Sequence, residues 1–73
     1  MQEFERIATI IRDVLDNDDL KIGADDSSET IEGWDSLAHV RIVLAVEQEF
    51  ATRFDVEDIP KLGSVRALAD AVG

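Results

Sequence analysis

Phe4, Ile7, Ile10, Ile11, Val14 and Leu15 recur at three- and four-residue steps, with Glu3, Glu5, Arg6, Thr9, Arg12 and Asp13 filling the positions between them. One apolar stripe at that spacing predicts an amphipathic helix over residues 2–16. Asp16-Asn17-Asp18-Asp19 ends it, because short polar side chains that bond nearby backbone favour turns. A second apolar run, Leu37, Val40, Val43, Leu44, Val46 and Phe50 with Ile42 at its edge, predicts a helix over residues 36–51. Its apolar arc is wider than one stripe, which places it at the centre of a bundle, touched on several sides. Ala38, Arg41, Ala45, Gln48 and Glu49 are its expected exposed positions. Asp55 to Ile59 reads as one capped turn stopped near Pro60. Ser64 then caps a last helix with Val65, Leu68, Ala69 and Val72 on one face. The expected fold is all-α, a four-helix bundle of three main helices and one short third helix, as a single domain over residues 1–73.

Between the first two helices runs a long acidic connection containing Gly23 and Gly33. A loop of that length in a small domain is usually functional or pinned by side chains. Leu20, Ile22, Ile31 and Trp34 are the expected pins, and a short helical turn is expected near Ser27 to Thr30. Trp34 is the strongest of them, since its large ring gains most from burial.

Charge narrows the range of partners. Seventeen acidic against seven basic residues give a formal net charge of -10, with 45% apolar content. Phosphate backbones and anionic membrane surfaces are repelled by such a chain, so nucleic acid and membrane are excluded as partners, and basic patches on other proteins attract it. The longest apolar run, Ile42 to Val46, is far short of the ~20 residues that span a bilayer. The chain has no cysteine, hence no disulfide framework and no thiolate zinc site, and the start lacks the basic and apolar segments of a secretion signal. A soluble, cytoplasmic monomer is expected.

Gly33-Trp34-Asp35-Ser36-Leu37 sits where the loop turns into the second helix. A helix mouth offers unpaired N–H groups and the positive end of the dipole, so a negative group attached to Ser36 would be favoured there. Asp35 or Ser36 can cap the first turn, and no reciprocal capping box is present, because Ala38 and His39 stand three residues on.

With Val40, Val43, Glu47 and Phe50 following, this stretch resembles the acyl carrier proteins, whose signature is Asp-Ser-Leu at the start of the second helix. The resemblance covers nearly the whole chain. It implies a non-catalytic four-helix carrier whose serine, here Ser36, takes 4'-phosphopantetheine from coenzyme A. The arm's thiol then holds acyl groups as thioesters, supplying the sulfur that this chain lacks. Asp35 matches the aspartate that helps the phosphopantetheinyl transferase hold its metal. Leu37 and Val40 match positions that meet partner enzymes, and Arg41 stands on the same helix. Glu47 matches an acidic partner-facing position, while Val56 and Ile59 match the short helix lining an acyl cavity. Acyl-loading and acyl-transfer enzymes with basic docking patches are the implied partners. Carriers of fatty acid synthesis usually have Ala before Asp-Ser-Leu and a more acidic second helix, whereas Trp34, Ala38, Arg41 and Gln48 stand here. Peptidyl carriers typically show Gly-Gly-His-Ser or Gly-Gly-Asp-Ser. The Trp-Asp-Ser-Leu form is more similar to stand-alone carriers of polyketide assembly or other specialised pathways.

Three other readings of the same residues are weaker. His39, one turn past Ser36, suggests a Ser-His pair with Asp35, but no Gly-x-Ser-x-Gly elbow or oxyanion hole accompanies it, and a solvent- or partner-facing histidine is expected instead. Counting twelve from Asp18 puts Gly23 and Glu29 at EF-hand places, but Leu20 and Ile22 fall where ligands are needed, so no metal is expected. The rival of a different class is an acidic helical interaction module with no prosthetic group, in which Ser36 is only a cap.

Overall fold

Ile7, Ile11, Ile42, Val46, Val65 and Leu68 are fully screened from solvent, and they come from three separate helices. Each such side chain contributes roughly 1.5–3 kcal/mol relative to exposure, so this cluster is what closes the chain on itself. The computed structural model describes residues 2–72. In it α1 spans Gln2–Leu15, α2 spans Ser36–Glu49, a 3-10 helix spans Val56–Lys61 and α3 spans Val65–Val72. The all-α, four-helix expectation is met, with three main helices and one short one.

α1 and α2 end in the same way. The residue after the last turn is left-handed, Asp16 at φ 53° and Ala51 at φ 51°. Asn17 N–H reaches back to the Arg12 carbonyl (3.0 Å) and Thr52 N–H to that of Glu47 (2.9 Å), satisfying carbonyls that a helix end leaves orphaned. This stop falls earlier in α2 than residue 51, because Ala51 has left the right-handed region. Glycine is the usual residue at such a position; a left-handed Ala is strained by about 1–2 kcal/mol.

α2 departs from the expected central helix. Its buried residues are Ala38, Ile42, Val43 and Val46, while Leu37, Val40 and Leu44 are 63%, 45% and 52% exposed. Ile42, expected at the edge of the arc, is its centre, and Ala38, expected outside, is inside. The reason is geometric: 38, 42 and 46 form one i+4 row facing the shared core, and 37, 40 and 44, three and four residues apart, form a second stripe facing solvent. The wide apolar arc is two faces, of which only one is covered.

The arginines of α1 do more than dilute its charge. Arg6 Nε donates to the Glu49 carboxylate (2.8 Å) and its terminal nitrogen to the Glu49 carbonyl (3.0 Å), and the guanidinium lies 4.4 Å from the Phe50 ring centre. A cation thus caps the negative end of α2. Arg12 Nε donates to the Leu20 carbonyl (2.8 Å), which fixes the start of the loop.

The loop is pinned as expected: Ile22, Ile31 and Trp34 are buried and Leu20 packs against the core. Asp26 organises the middle. Its carboxylate accepts from Gly23 N–H (2.7 Å) and the Thr30 hydroxyl (3.0 Å), and its carbonyl accepts from Val65 N–H (3.0 Å). Ser27 to Thr30 forms a hydrogen-bonded turn, with Thr30 and Ile31 N–H both donating to the Ser27 carbonyl. Ser27 pairs with Ser64 in an isolated antiparallel bridge, and Ser64 Oγ accepts from Ala67 N–H (3.0 Å) as the expected cap of α3. Arg66 meets Asp25 at 2.7 Å; that hydrogen bond raises the guanidinium pKa, but the pair is too exposed to hold the fold.

The short helix stops at Lys61, next to Pro60 as expected but with the proline inside it, and Asp55 makes no side-chain cap. Proline's fixed φ suits a 3-10 turn, and its missing N–H removes only one bond.

The two faces of α2 should separate in an alanine scan followed by chemical denaturation. Ile42→Ala is expected to cost about 2–5 kcal/mol, and Leu44→Ala to stay within about 0.5 kcal/mol of wild type. Ala51→Gly should raise stability by about 0.5–1 kcal/mol, read as a higher denaturation midpoint at unchanged slope.

Candidate functional site

Gly33 adopts φ 93°, which lets the chain reverse so that Trp34 points inward and Asp35 starts a helix. Asp35 N–H donates to the Gly33 carbonyl (2.9 Å), and Trp34 is 4% exposed. Asp35 then has extended backbone (φ −92°, ψ −172°), its Oδ1 accepts from Ala38 N–H (2.9 Å), and its carbonyl accepts from His39 N–H (2.8 Å). Asp35 is therefore the cap of α2. Ser36, one residue later, is the first residue of the helix and is exposed. With the capping duty on Asp35, no protein group among the described residues takes a hydrogen bond from the Ser36 hydroxyl. It stands at the positive end of α2, whose first turn carries no acid of its own.

His39 is not the solvent- or partner-facing residue expected from the sequence. It is half-buried, its Nδ1 receives the Trp34 indole N–H (3.0 Å), and its Nε2 lies 2.7 Å from the Ile59 carbonyl. The indole can only donate, so Nδ1 is the acceptor and Nε2 carries the proton that goes to Ile59. The two rings stack at 6.0 Å between centroids, 27° apart in plane. With both nitrogens engaged, the imidazole is not available to Ser36 as a base. This three-residue chain left little trace in the sequence, where Trp34 and His39 are five apart and Ile59 lies twenty further on.

Ser36, Trp34, His39, Val40, Ile59 and Pro60 border an open cleft of about 440 Å³. Of the two short-helix residues expected there, Ile59 is present and Val56 is not; it is 82% exposed and does not line the cleft. Glu47, expected to face partners, is turned partly inward. It is half-buried and its Oε2 accepts from Phe54 N–H (2.7 Å), tying the chain after α2 to the helix. Leu37, Val40 and Arg41, the positions matched to partner contact, are exposed on α2, and Leu44 joins them. Among the described residues no group of three metal-ligating side chains converges, and no helix is long and apolar enough to cross a membrane.

The family of phosphopantetheine attachment sites (PP-binding) matches residues 5–72 of this chain. In three dimensions the chain is similar to the solution NMR structure of a holo acyl carrier protein from Geobacter metallireducens. The TM-score is 0.84, with 30% sequence identity over 99% of this chain and 83% of that one. No curated protein sequence matches.

The Trp34–His39–Ile59 geometry fixes one tautomer. A long-range proton–nitrogen NMR spectrum should show His39 protonated at Nε2 with Nδ1 as an acceptor; an Nδ1–H signal would set two donors face to face and contradict the arrangement.

Proposed function

The chain belongs to the phosphopantetheine-bearing acyl carrier protein family, and from that premise we propose that Ser36 is its attachment residue. It is a non-catalytic carrier with covalent 4'-phosphopantetheine, and carriers of this kind work with a phosphopantetheinyl transferase and acyl-handling enzymes. The observation that carries the assignment to Ser36 is its hydroxyl: exposed, relieved of capping by Asp35, and set at the mouth of α2 beside the cleft. These residues fit a phosphate ester, which the helix dipole and the unpaired N–H groups of the first turn would favour. In loading, Ser36 Oγ loses its proton and replaces the adenosine bisphosphate half of coenzyme A on phosphorus. The bound group supplies a thiol for thioesters, which a chain without cysteine cannot supply itself. Asp35 keeps its backbone and Oδ1 on the helix and presents an exposed carboxylate next to the serine, as a transferase holding a metal would need.

The outer row of α2, Leu37, Val40, Arg41 and Leu44, is the docking face in this reading, with Ile59 beside the cleft. Exposed apolar side chains around one cation suit a small interface that releases readily, with affinity around micromolar. The net charge of -10 steers the whole molecule toward basic enzyme surfaces. The same face supports a role in polyketide or other specialised biosynthesis over housekeeping fatty acid synthesis. Both acids of α2 are engaged elsewhere, Glu47 with Phe54 and Glu49 with Arg6, and the outward charge is Arg41. Trp34 before Asp-Ser-Leu agrees. We take the chain as a single monomeric carrier domain acting in the cytoplasm. The interaction-module reading, with no prosthetic group, is set aside by the family match.

Incubation with coenzyme A and a broad-specificity transferase should add one phosphopantetheine mass to the wild-type chain and none to Ser36→Ala; an unmodified wild type would refute the assignment. Because Asp35 is the cap, Ser36→Ala should melt within about 0.5 kcal/mol of wild type, while Asp35→Ala costs about 1 kcal/mol.

A further inference from the structure

His39 joins two elements that otherwise touch little. Trp34 is rooted in the core, whereas the 3-10 helix carrying Ile59 has no buried residue of its own. A segment with so little buried surface sits at the weak end of local stability, so the 2.7 Å contact between His39 and the Ile59 carbonyl is a large part of what holds it to α2. The position matters because of what lies behind it. Ile42, one turn on from His39, and Leu62, three residues on from Ile59, both belong to the buried core.

We infer that His39 is a positioning residue that bolts the short helix to α2 and seals the core from the cleft beside Ser36, so that arm-borne cargo stays in the cleft. This rests on Ser36 being the attachment residue. A volume of about 440 Å³ lies within the range of about 300–1,000 Å³ usual for small-molecule sites, and the arm must share it. What remains suits a short acyl group and is too little for a long alkyl chain. The walls agree: the indole and imidazole, Val40 and Ile59 offer apolar contact, while the Ser28 hydroxyl can meet a cargo oxygen.

The test uses the full isotope-labelled chain loaded with acetyl-, butanoyl- or octanoyl-phosphopantetheine from the matching coenzyme A thioesters, each product verified by intact mass. In wild type, NMR shifts should be confined to cleft groups (the Trp34 indole, Val40, Ile59) at every chain length, with the methyls of Ile42, Val46 and Leu62 unmoved. In His39→Ala the octanoyl form should shift those core methyls. His39→Gln, which keeps a donor able to reach the Ile59 carbonyl, should restore the wild-type pattern. Trp34→Phe, which keeps a ring but loses the N–H, should weaken the seal in the same direction as His39→Ala. Absence of the added mass overturns the Ser36 assignment and this inference with it. A loaded wild type whose core methyls shift with chain length overturns this inference alone, as does a His39→Ala carrier that keeps octanoyl in the cleft.

Discussion

The structure depends on the burial of Trp34 immediately before a capped helix start. An indole sunk into the core fixes where the loop ends, and Asp35 then has only one orientation in which to bond Ala38 N–H. Ser36 inherits its exposure from that pair. The proposed attachment needs a hydroxyl held in place without being consumed by the hydrogen bonds that hold it. Here the adjacent residue takes over the capping that a serine at a helix mouth would normally do.

α2 shows how one helix serves two surfaces. Its inner row of Ala38, Ile42 and Val46 builds the core with α1 and α3, and its outer row of Leu37, Val40 and Leu44 is left in water. An apolar row kept exposed on a small acidic molecule works against solubility, which the surrounding acids offset. The ends of α2 are controlled separately, by Asp35 at the start and by Arg6 with the left-handed Ala51 at the finish.

Much of this was legible in the sequence. The stripe from Phe4 to Leu15, the pins Ile22, Ile31 and Trp34, the Ser64 cap and the placement of Ser36 all follow from local rules of spacing and capping. What was not legible depends on contacts between distant residues. Periodicity marks Leu37 and Ile42 alike as apolar and cannot say which of two rows meets the neighbouring helices. Glu47 resembles a surface acid until Phe54 N–H is seen to need an acceptor. Val56 and Ile59 lie three residues apart on one face of the 3-10 helix, and they differ in exposure because only the Ile59 end is tied to α2, through His39. His39 was hardest, since each of its partners lies in a different element.

The stitching of the loop to the start of α3 bears on when the serine is ready for use. Asp26 and Ser28 are held by Val65 and Gly63, beyond both α2 and the 3-10 helix, and these bonds fix the segment that delivers Trp34 and Asp35. During synthesis the ribosome must release the chain as far as Val65 before that segment can settle. A product that stops short of Gly63 would therefore lack the bonds that hold this segment.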